Sequence, residues 1–265
     1  YSEYWSQNLS KKITKNKKAD LVYSANTLSH IKNFNEIFKA INNALSKKGI
    51  LILEDPSLLK CLQNVAYDQF YCEHIYVFST LALREILKKF KLEIFDIENT
   101  KTHGGSNRYY IKKINNNFYK IKDAVKNEIK KELRFGLDKF STYKKFEKKV
   151  KLSKKKLIKI FKDLNKKKLR IIGYGATAKS CTVLNYCGIG NKYIEYFFDT
   201  TSYKINKYLP GSKILIKKYK KLDLSEVDVV YLGAWNFKEE IFKKERSFIK
   251  KGGRFITHIP YPKII

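Results

Sequence analysis

The sequence predicts an α/β fold made of two α/β units with helices between them. Near both ends of the chain, short apolar runs of strand length alternate with helical patterns, which is typical of α/β folds. A glycine turn, Gly173-Tyr174-Gly175, joins one apolar run to a helix. Between these parts, apolar residues recur every three or four positions. The expected division is an α/β unit at 1–116, a helical connector at 117–168 and a doubly wound α/β unit at 169–265.

The first unit begins with a polar helical pattern over 1–18. A buried strand is expected at 19–26, an amphipathic helix at 33–45 and a uniformly apolar strand at 50–53. We expect Gly49 to end that helix in a left-handed cap. Strand, helix and strand at this spacing predict a parallel crossover.

A further helix and two strands complete the first unit, at 79–90, 92–97 and 108–114. The connector is interpreted as two amphipathic helices, and not as a membrane anchor, because their faces are not sharply divided. The second unit is expected to hold a sheet and a late helix. Its first strand is expected from Leu169 up to the glycine turn, the others at 193–198, 214–216, 227–232 and 255–258, and the helix at 238–250.

Composition limits the possible classes of protein. The 265 residues suit about two domains, and a hydrophobic content of 43% is enough for a packed core. Apolar runs stay below the roughly 18 residues of a membrane span, and no secretory signal is present. The chain begins at Tyr1 and contains no Met, so we expect a fragment, a processed chain or a trimmed chain.

The formal net charge of +31 first suggests nucleic acid. Almost all the cations are Lys, however, and Arg is the residue that reads bases and forks onto phosphates. We therefore expect no specific nucleic-acid binding, although such a surface would still attract anionic substrates. The four cysteines form no C-x-x-C pair and no zinc spacing, which predicts no metal site and a reducing, cytoplasmic location.

The glycine turn of the second unit favours a nucleotide or a phosphate. Gly173, Gly175 and Ala178 satisfy the G-x-G-x-x-G/A pattern between a strand and a helix. Asp199 follows at about the distance of a ribose-binding acid, and Lys179 would add charge suited to a diphosphate. Taken alone, the pattern argues for NAD. The alternatives are another phosphate ligand or a tight turn with no ligand.

Acid–base chemistry is suggested by a segment that follows the strand at 50–53. His74 and Glu73 could act as a general base and its supporter, because His titrates near neutral pH. Tyr71 or Tyr76 could polarise a carbonyl group. The alternative is a partly buried His bonded to a neighbouring loop.

Three other histidines lie near expected strand ends. His30 and His103 fall in loops after strands of the first unit, where α/β enzymes bind ligands. His258 is expected on an edge strand of the second unit, and we interpret it as structural.

Four segments, taken together and in order, resemble the sugar C-methyltransferases. These enzymes use S-adenosylmethionine to methylate nucleotide-linked keto-deoxysugars. The segments are 19–26 with Leu28-Ser29-His30-Ile31, Glu54-Asp55-Pro56 with Phe70-Tyr71-Cys72-Glu73-His74, Thr102-His103-Gly104-Gly105-Ser106 with Arg108, and Gly173-Tyr174-Gly175-Ala176 with Lys179, Leu184-Asn185-Tyr186-Cys187 and Tyr208-Leu209-Pro210-Gly211.

The resemblance implies a mechanism. His74 is the expected base, which takes the proton from the carbon beside the ketone, and Glu73 and Tyr71 assist. The enolate carbon then attacks the methyl group of the sulfonium. Asn26 and His30 are expected at the cofactor, S-adenosylmethionine, and no nicotinamide is used.

The resemblance also implies how the substrate binds. A sugar nucleotide would lie between the methyltransferase domain and the C-terminal Rossmann-like domain. The residues expected to bind it are His103, Gly104, Ser106, Arg108, Gly173, Tyr174, Gly175 and Lys179. In this family zinc belongs to an N-terminal domain whose cysteines are not in this sequence. The glycine loop that holds the cofactor is also not here, so we expect an incomplete class I methyltransferase domain that binds S-adenosylmethionine weakly or not at all.

Two other functions stay open. A methyltransferase acting on oxygen would need similar residues, because a hydroxyl acceptor also requires a base. A non-catalytic module that binds a nucleotide or NAD would need only 169–265. The sequence makes no prediction of the sugar, the carbon that is methylated or the oligomeric state.

Overall fold

A computed structural model describes residues 1–265, which divide into two compact units. The first unit comprises Tyr1–Cys61 and Cys72–Tyr143, and the second comprises Leu62–Tyr71 and Lys144–Ile265. Each unit carries its own sheet. The predicted α/β class with two Rossmann-like parts is confirmed.

The first unit is built on a sheet of four strands in the order β1-β2-β4-β3. Strands β1 and β2 are parallel, as the predicted crossover requires, and β4 is antiparallel to both of its neighbours. The helix expected over 1–18 is shorter than predicted. The elements are α1 Gln7–Ile13, β1 Ala19–Ala25, α2 Phe34–Ala44, β2 Leu45–Pro56, α3 Leu58–Gln63, α4 Thr80–Lys88, β3 Leu92–Thr100, β4 Ser106–Lys113 and α5 Asp123–Phe135.

Gly49 does not cap α2, so that prediction is wrong. Strand β2 begins at Leu45, directly after α2 ends, and Gly49 lies inside the strand. The register there jumps from Ala19 opposite Leu45 to Leu21 opposite Ile50. A Cβ on Gly49 would lie 2.5 Å from the carbonyl oxygen of Ala19. Close approach of two backbones, and not a left-handed turn, therefore requires glycine at this position.

The second unit is a doubly wound sheet of six strands in the order β10-β9-β8-β5-β6-β7. The five expected strands are present and parallel, and β10 adds an antiparallel edge that the sequence analysis missed. The elements are α6 Phe140–Lys166, β5 Ile171–Tyr174, α7 Ala178–Cys187, β6 Tyr196–Asp199, β7 Leu215–Lys218, β8 Val229–Leu232, α8 Lys238–Lys244, α9 Arg246–Lys250, β9 Arg254–Thr257 and β10 Lys263–Ile264.

The helix expected over 238–250 is two helices that meet at Glu245. This residue is fully buried, and its carboxylate accepts hydrogen bonds from the Tyr219 hydroxyl at 2.7 Å and the Leu222 amide at 3.2 Å. A polar side chain drawn into the core at this point explains why the helical run is interrupted.

The stretch expected as a connector contributes to both cores. Helix α5 places Val125 in the core of the first unit, whereas α6 places Leu157 and Phe161 in the core of the second. The two helices are separated at Gly136, which has a left-handed conformation with φ of 87°. No helix in the structure has the length and apolar character needed to cross a bilayer.

Gly173 is predicted to tolerate no side chain. A Cβ on this residue of β5 would lie 2.3 Å from atoms of the Phe197 ring, which is fully buried. We expect Gly173→Ala to lower the free energy of unfolding by about 1–3 kcal/mol through overpacking, as measured by urea denaturation. Gly188→Asn is the control, since Gly188 has open space around it and Asn tolerates the left-handed conformation. Equal losses in the two variants would contradict this prediction.

Candidate active site

Polar side chains of the first unit gather where β1 and β2 end. Asn26 directly follows β1 and has a positive φ of 50°. Its amide donates a hydrogen bond of 2.8 Å to the carbonyl oxygen of Glu54 near the end of β2. Glu54 and the next residue, Asp55, are both buried. In parallel sheets, ligands bind at this carboxyl edge.

His30 and His74 face each other at this edge. His30 ends a single 3-10 turn that follows β1, and His74 lies in the segment after α3. Their ring centroids are 5.0 Å apart and the ring planes are at 86°. Two residues suggested from separate parts of the sequence are thus brought together by the fold.

Ser29 holds the His74 segment in place. Its carbonyl oxygen accepts the amide hydrogens of both Ile75, at 2.9 Å, and Tyr76, at 3.1 Å. The Tyr76 hydroxyl also donates to the carbonyl oxygen of Lys32 at 3.1 Å. The loop after β1 is therefore joined to the residues that follow His74 by two backbone hydrogen bonds at Ser29 and one side-chain hydrogen bond at Lys32.

The three residues expected to catalyse the reaction do not belong to one unit. Glu73 and His74 are part of the first unit, with Glu73 exposed and His74 buried. Tyr71 is half-buried in the segment Leu62–Tyr71, which belongs to the second unit.

The loop between β3 and β4 closes onto Glu54. Arg108 donates to the Glu54 carboxylate from Nε at 2.9 Å, and its second nitrogen lies 2.8 Å from the same oxygen. The Thr102 hydroxyl donates to the other oxygen at 2.7 Å. Burial raises the pKa of Glu54, but these hydrogen bonds outweigh it and the pKa is lowered.

The loop residues expected to bind substrate have different surroundings. The Arg108 side chain is 35% exposed, and its remaining nitrogen lies 3.4 Å from the Glu98 carboxylate. His103 and Gly104 both have positive φ values, and the Ser106 hydroxyl donates to the Thr102 carbonyl oxygen at 3.0 Å. The loop is thus ordered by its own bonds and by Glu54.

Asp55 is a buried acid that the sequence analysis did not single out. It is 1% exposed, and neither carboxylate oxygen accepts a hydrogen bond of good geometry. Burial raises its pKa to about 6, although the nearby hydroxyl and amide of Ser29 oppose the rise. The signal in the sequence was a carboxyl group at the end of a uniformly apolar strand.

The glycine turn of the second unit packs tightly. Gly173 lies against Phe197, and Gly175 has a positive φ of 85°. Lys179 is buried, with its ammonium group 5.6 Å from the centre of the Trp235 ring. Gly173 and Lys179 therefore face the interior of the unit.

A cavity of about 360 Å³ lies beside this turn. Tyr174 and Gly175 line it, together with Thr177, Asp199 and Lys204. Of the four residues of the turn expected to bind substrate, Tyr174 and Gly175 line this cavity.

Asp199 is occupied by the backbone of its own unit. One carboxylate oxygen accepts the amide of Ala176 at 2.9 Å and the other accepts that of Thr201 at 2.8 Å. Burial raises the pKa of Asp199, but the bonds from Thr201 and the charge of Lys204 outweigh it and lower the pKa. The acid whose spacing suggested ribose binding thus closes the glycine turn through these two hydrogen bonds.

A buried network around Asp68 was missed by the sequence analysis. One Asp68 oxygen accepts from Trp235 Nε1 at 2.5 Å and lies 3.2 Å from His258 Nε2. The other ring nitrogen of His258 is 3.1 Å from the Tyr231 hydroxyl. Burial raises the pKa of Asp68, but the bonds from His258 and Trp235 lower it overall.

His258 is structural, as interpreted, but its expected position on an edge strand is wrong. It follows β9, which lies between β8 and β10, and its side chain is fully buried. Asp68 and His258 are 190 residues apart in sequence, so no local pattern could have paired them.

Comparison with known proteins gives matches over most of the chain. A family model described as the C-methyltransferase C-terminal domain matches residues 101–260. A model described as a methyltransferase domain matches residues 2–96. The C-methyltransferase NovU of Streptomyces niveus is 29% identical over 247 residues, which cover 93% of this chain. The chain spans 59% of the length of that relative.

The Asp68 network is predicted to stabilise the second unit. We expect His258→Gln to lower the free energy of unfolding by about 3–5 kcal/mol, because it removes one partner of a buried carboxylate. In a double-mutant cycle, the variant carrying both Asp68→Asn and His258→Gln should lose less free energy of unfolding than the two single losses added together. We expect the difference to be at least about 1 kcal/mol. Additive losses would contradict the coupling.

Protonation of the Asp68 carboxylate is predicted to destabilise the chain in acid. The folded pKa of Asp68 is lowered, so its stabilisation is present above the unfolded pKa of about 4 and is lost as pH falls through the folded pKa. Thermal melts should therefore show a smaller loss of stability in acid for Asp68→Asn than for the natural chain. An equal loss would show that Asp68 is not the group responsible.

Proposed function

Because the chain belongs to the C-methyltransferase family defined by this C-terminal domain, we propose that it is an S-adenosylmethionine-dependent C-methyltransferase. The substrate class that we propose is a nucleotide-linked keto-deoxysugar. The observation that carries the proposal is the His30–His74 pair at the carboxyl edge of β1 and β2, since proton abstraction beside a ketone needs a positioned base that titrates near neutral pH.

His74 is the base in this proposal. Its imidazole takes the proton from the carbon next to the ketone, and the electrons of that C–H bond move into the enolate. The two backbone bonds from Ile75 and Tyr76 to Ser29 fix the direction from which the ring approaches the substrate. Tyr71 and Glu73 keep the assisting roles that the resemblance implies.

The carboxyl edge of the first unit fits S-adenosylmethionine. The side-chain oxygen of Asn26 is buried without a hydrogen-bond partner, which suits a ligand that carries donor groups. Asn26 and His30 would hold it there. When bound, this group would supply a methyl carbon on a positively charged sulfur, and the sulfur would keep the electrons of the methyl–sulfur bond when the enolate carbon takes the methyl group.

Anionic parts of the substrate would be held by positive and polar groups. The partly exposed side chain of Arg108 follows the loop that contains His103, Gly104 and Ser106. The net charge of +31 would raise the local concentration of a diphosphate. In the second unit we propose that Tyr174 and Gly175 contact the nucleotide, whereas Gly173 and Lys179 shape the turn.

The alternative of an NAD module is not favoured by the second unit. Each carboxylate oxygen of Asp199 already accepts a backbone amide and Lys204 lies 3.6 Å from one of them, so fewer acceptor positions are left for the ribose hydroxyls of NAD. A methyltransferase that acts on a hydroxyl oxygen would use the same base. Its product would carry the methyl group on oxygen, which distinguishes it from the product of a C-methyltransferase. The cytoplasmic location expected from the cysteines stays a prediction.

His74→Asn should abolish methyl transfer. We expect kcat for transfer to a keto-sugar nucleotide to fall about 100-fold or more in the full-length gene product, because Asn cannot take up the proton. Radiolabelled methyl incorporation would measure it. Cys72→Ser is the matched control, since Cys72 is exposed in the same segment and has no proposed role. Undiminished turnover in His74→Asn would remove His74 as the base.

Nucleotide titrations should separate the methyltransferase from the NAD module. By calorimetry we expect a dTDP-sugar to bind. For NAD we expect a dissociation constant no lower than about 1 mM, which corresponds to a binding free energy near −4 kcal/mol. Micromolar NAD binding that weakens in Asp199→Asn would favour a dinucleotide site at the glycine turn.

A further inference from the structure

We propose that Asp55 is a positioning residue that sets the His30–His74 pair by acting through Ser29. The inference rests on the proposed function for its catalytic meaning, but the geometric part concerns this chain alone. Asp55 lies at the end of β2, directly after Glu54, and is buried like its neighbour.

The contrast with Glu54 shows that Asp55 is not an ordinary structural acid. Glu54 is fully satisfied by Arg108 and Thr102 and holds the β3–β4 loop. Asp55 has no cation beside it and no hydrogen bond of good geometry to either oxygen. A buried carboxyl group in that state costs stability, and such costs are typical of functional sites.

Ser29 lies close to Asp55. The serine is 1% exposed, and its hydroxyl oxygen is also buried without a partner of good geometry. Its hydroxyl and amide lie close enough to Asp55 to oppose the effect of burial on that carboxyl group. Two buried, poorly satisfied polar groups therefore lie near each other at the carboxyl ends of β1 and β2.

Ser29 connects this contact to both histidines. It precedes His30 in the chain, and its carbonyl oxygen accepts the amides of Ile75 and Tyr76, which follow His74. A shift of Ser29 towards or away from Asp55 would move both loops together. Asp55 therefore fixes the separation and angle of the two rings without touching the substrate.

Histidine NMR tests the geometric part directly, because the chain contains only four histidines. In the natural chain, the 5.0 Å centroid separation should give a cross-relaxation peak between the His30 and His74 rings. We expect Asp55→Asn to weaken that peak and to shift the ring resonances of His30 and His74. The resonances of His103 and His258 should stay in place.

Two further variants make the outcome decisive. Ser29→Ala removes one hydroxyl from the same contact and should displace the same two rings, and it decides the test if Asp55→Asn does not fold. Asp20→Asn is the matched control, since Asp20 lies at the other end of β1 and bonds to Ser46. Unchanged His30 and His74 signals in folded Asp55→Asn and Ser29→Ala would overturn the inference.

Kinetics of the full-length gene product separate this inference from the proposed function. If both hold, Asp55→Asn should lower kcat about tenfold or more and leave KM for the methyl donor nearly unchanged, because orientation and not binding is lost. Displaced His30 and His74 rings in Asp55→Asn would support the positioning role even if His74→Asn kept full turnover. Full turnover in His74→Asn would refute His74 as the base.

Discussion

The carbonyl oxygen of Ser29 is the acceptor on which the candidate site depends. It binds two consecutive amides, those of Ile75 and Tyr76, and so ties the loop after β1 to a segment more than 40 residues later in the chain. His30 and His74 are the neighbours of these bonded residues, which is why their rings meet. A change that moves Ser29 is therefore expected to move both rings.

Three buried acids, two in the first unit and one in the second, are in different states. Glu54 and Asp68 are paired and hydrogen-bonded, their pKa values are lowered, and each holds a segment in place. Asp55 is unpaired, and burial raises its pKa to about 6. The paired acids stabilise their own units, whereas the unpaired one is best explained by a role in the site.

Features of the structure could be predicted from the sequence where they depend on residues that are close together in the chain. The β1-α2-β2 crossover and the doubly wound sheet were predictable, because apolar runs and turns are local signals. Gly49 was misassigned, because its need for glycine comes from the Ala19 backbone across the sheet. The histidine pair and the Asp68–His258 network join distant parts of the chain, so only the fold reveals them.

Exchange of the proton beside the ketone tests the central claim, that His74 is a base positioned for carbon chemistry, most directly. The full-length gene product would be incubated with a keto-sugar nucleotide in deuterated water, and deuterium at that carbon followed by NMR. We expect rapid exchange with the natural protein and only the uncatalysed rate with His74→Asn. Catalysed exchange that persists without the His74 imidazole, or no exchange with the natural protein while methylation proceeds on oxygen, would contradict the account.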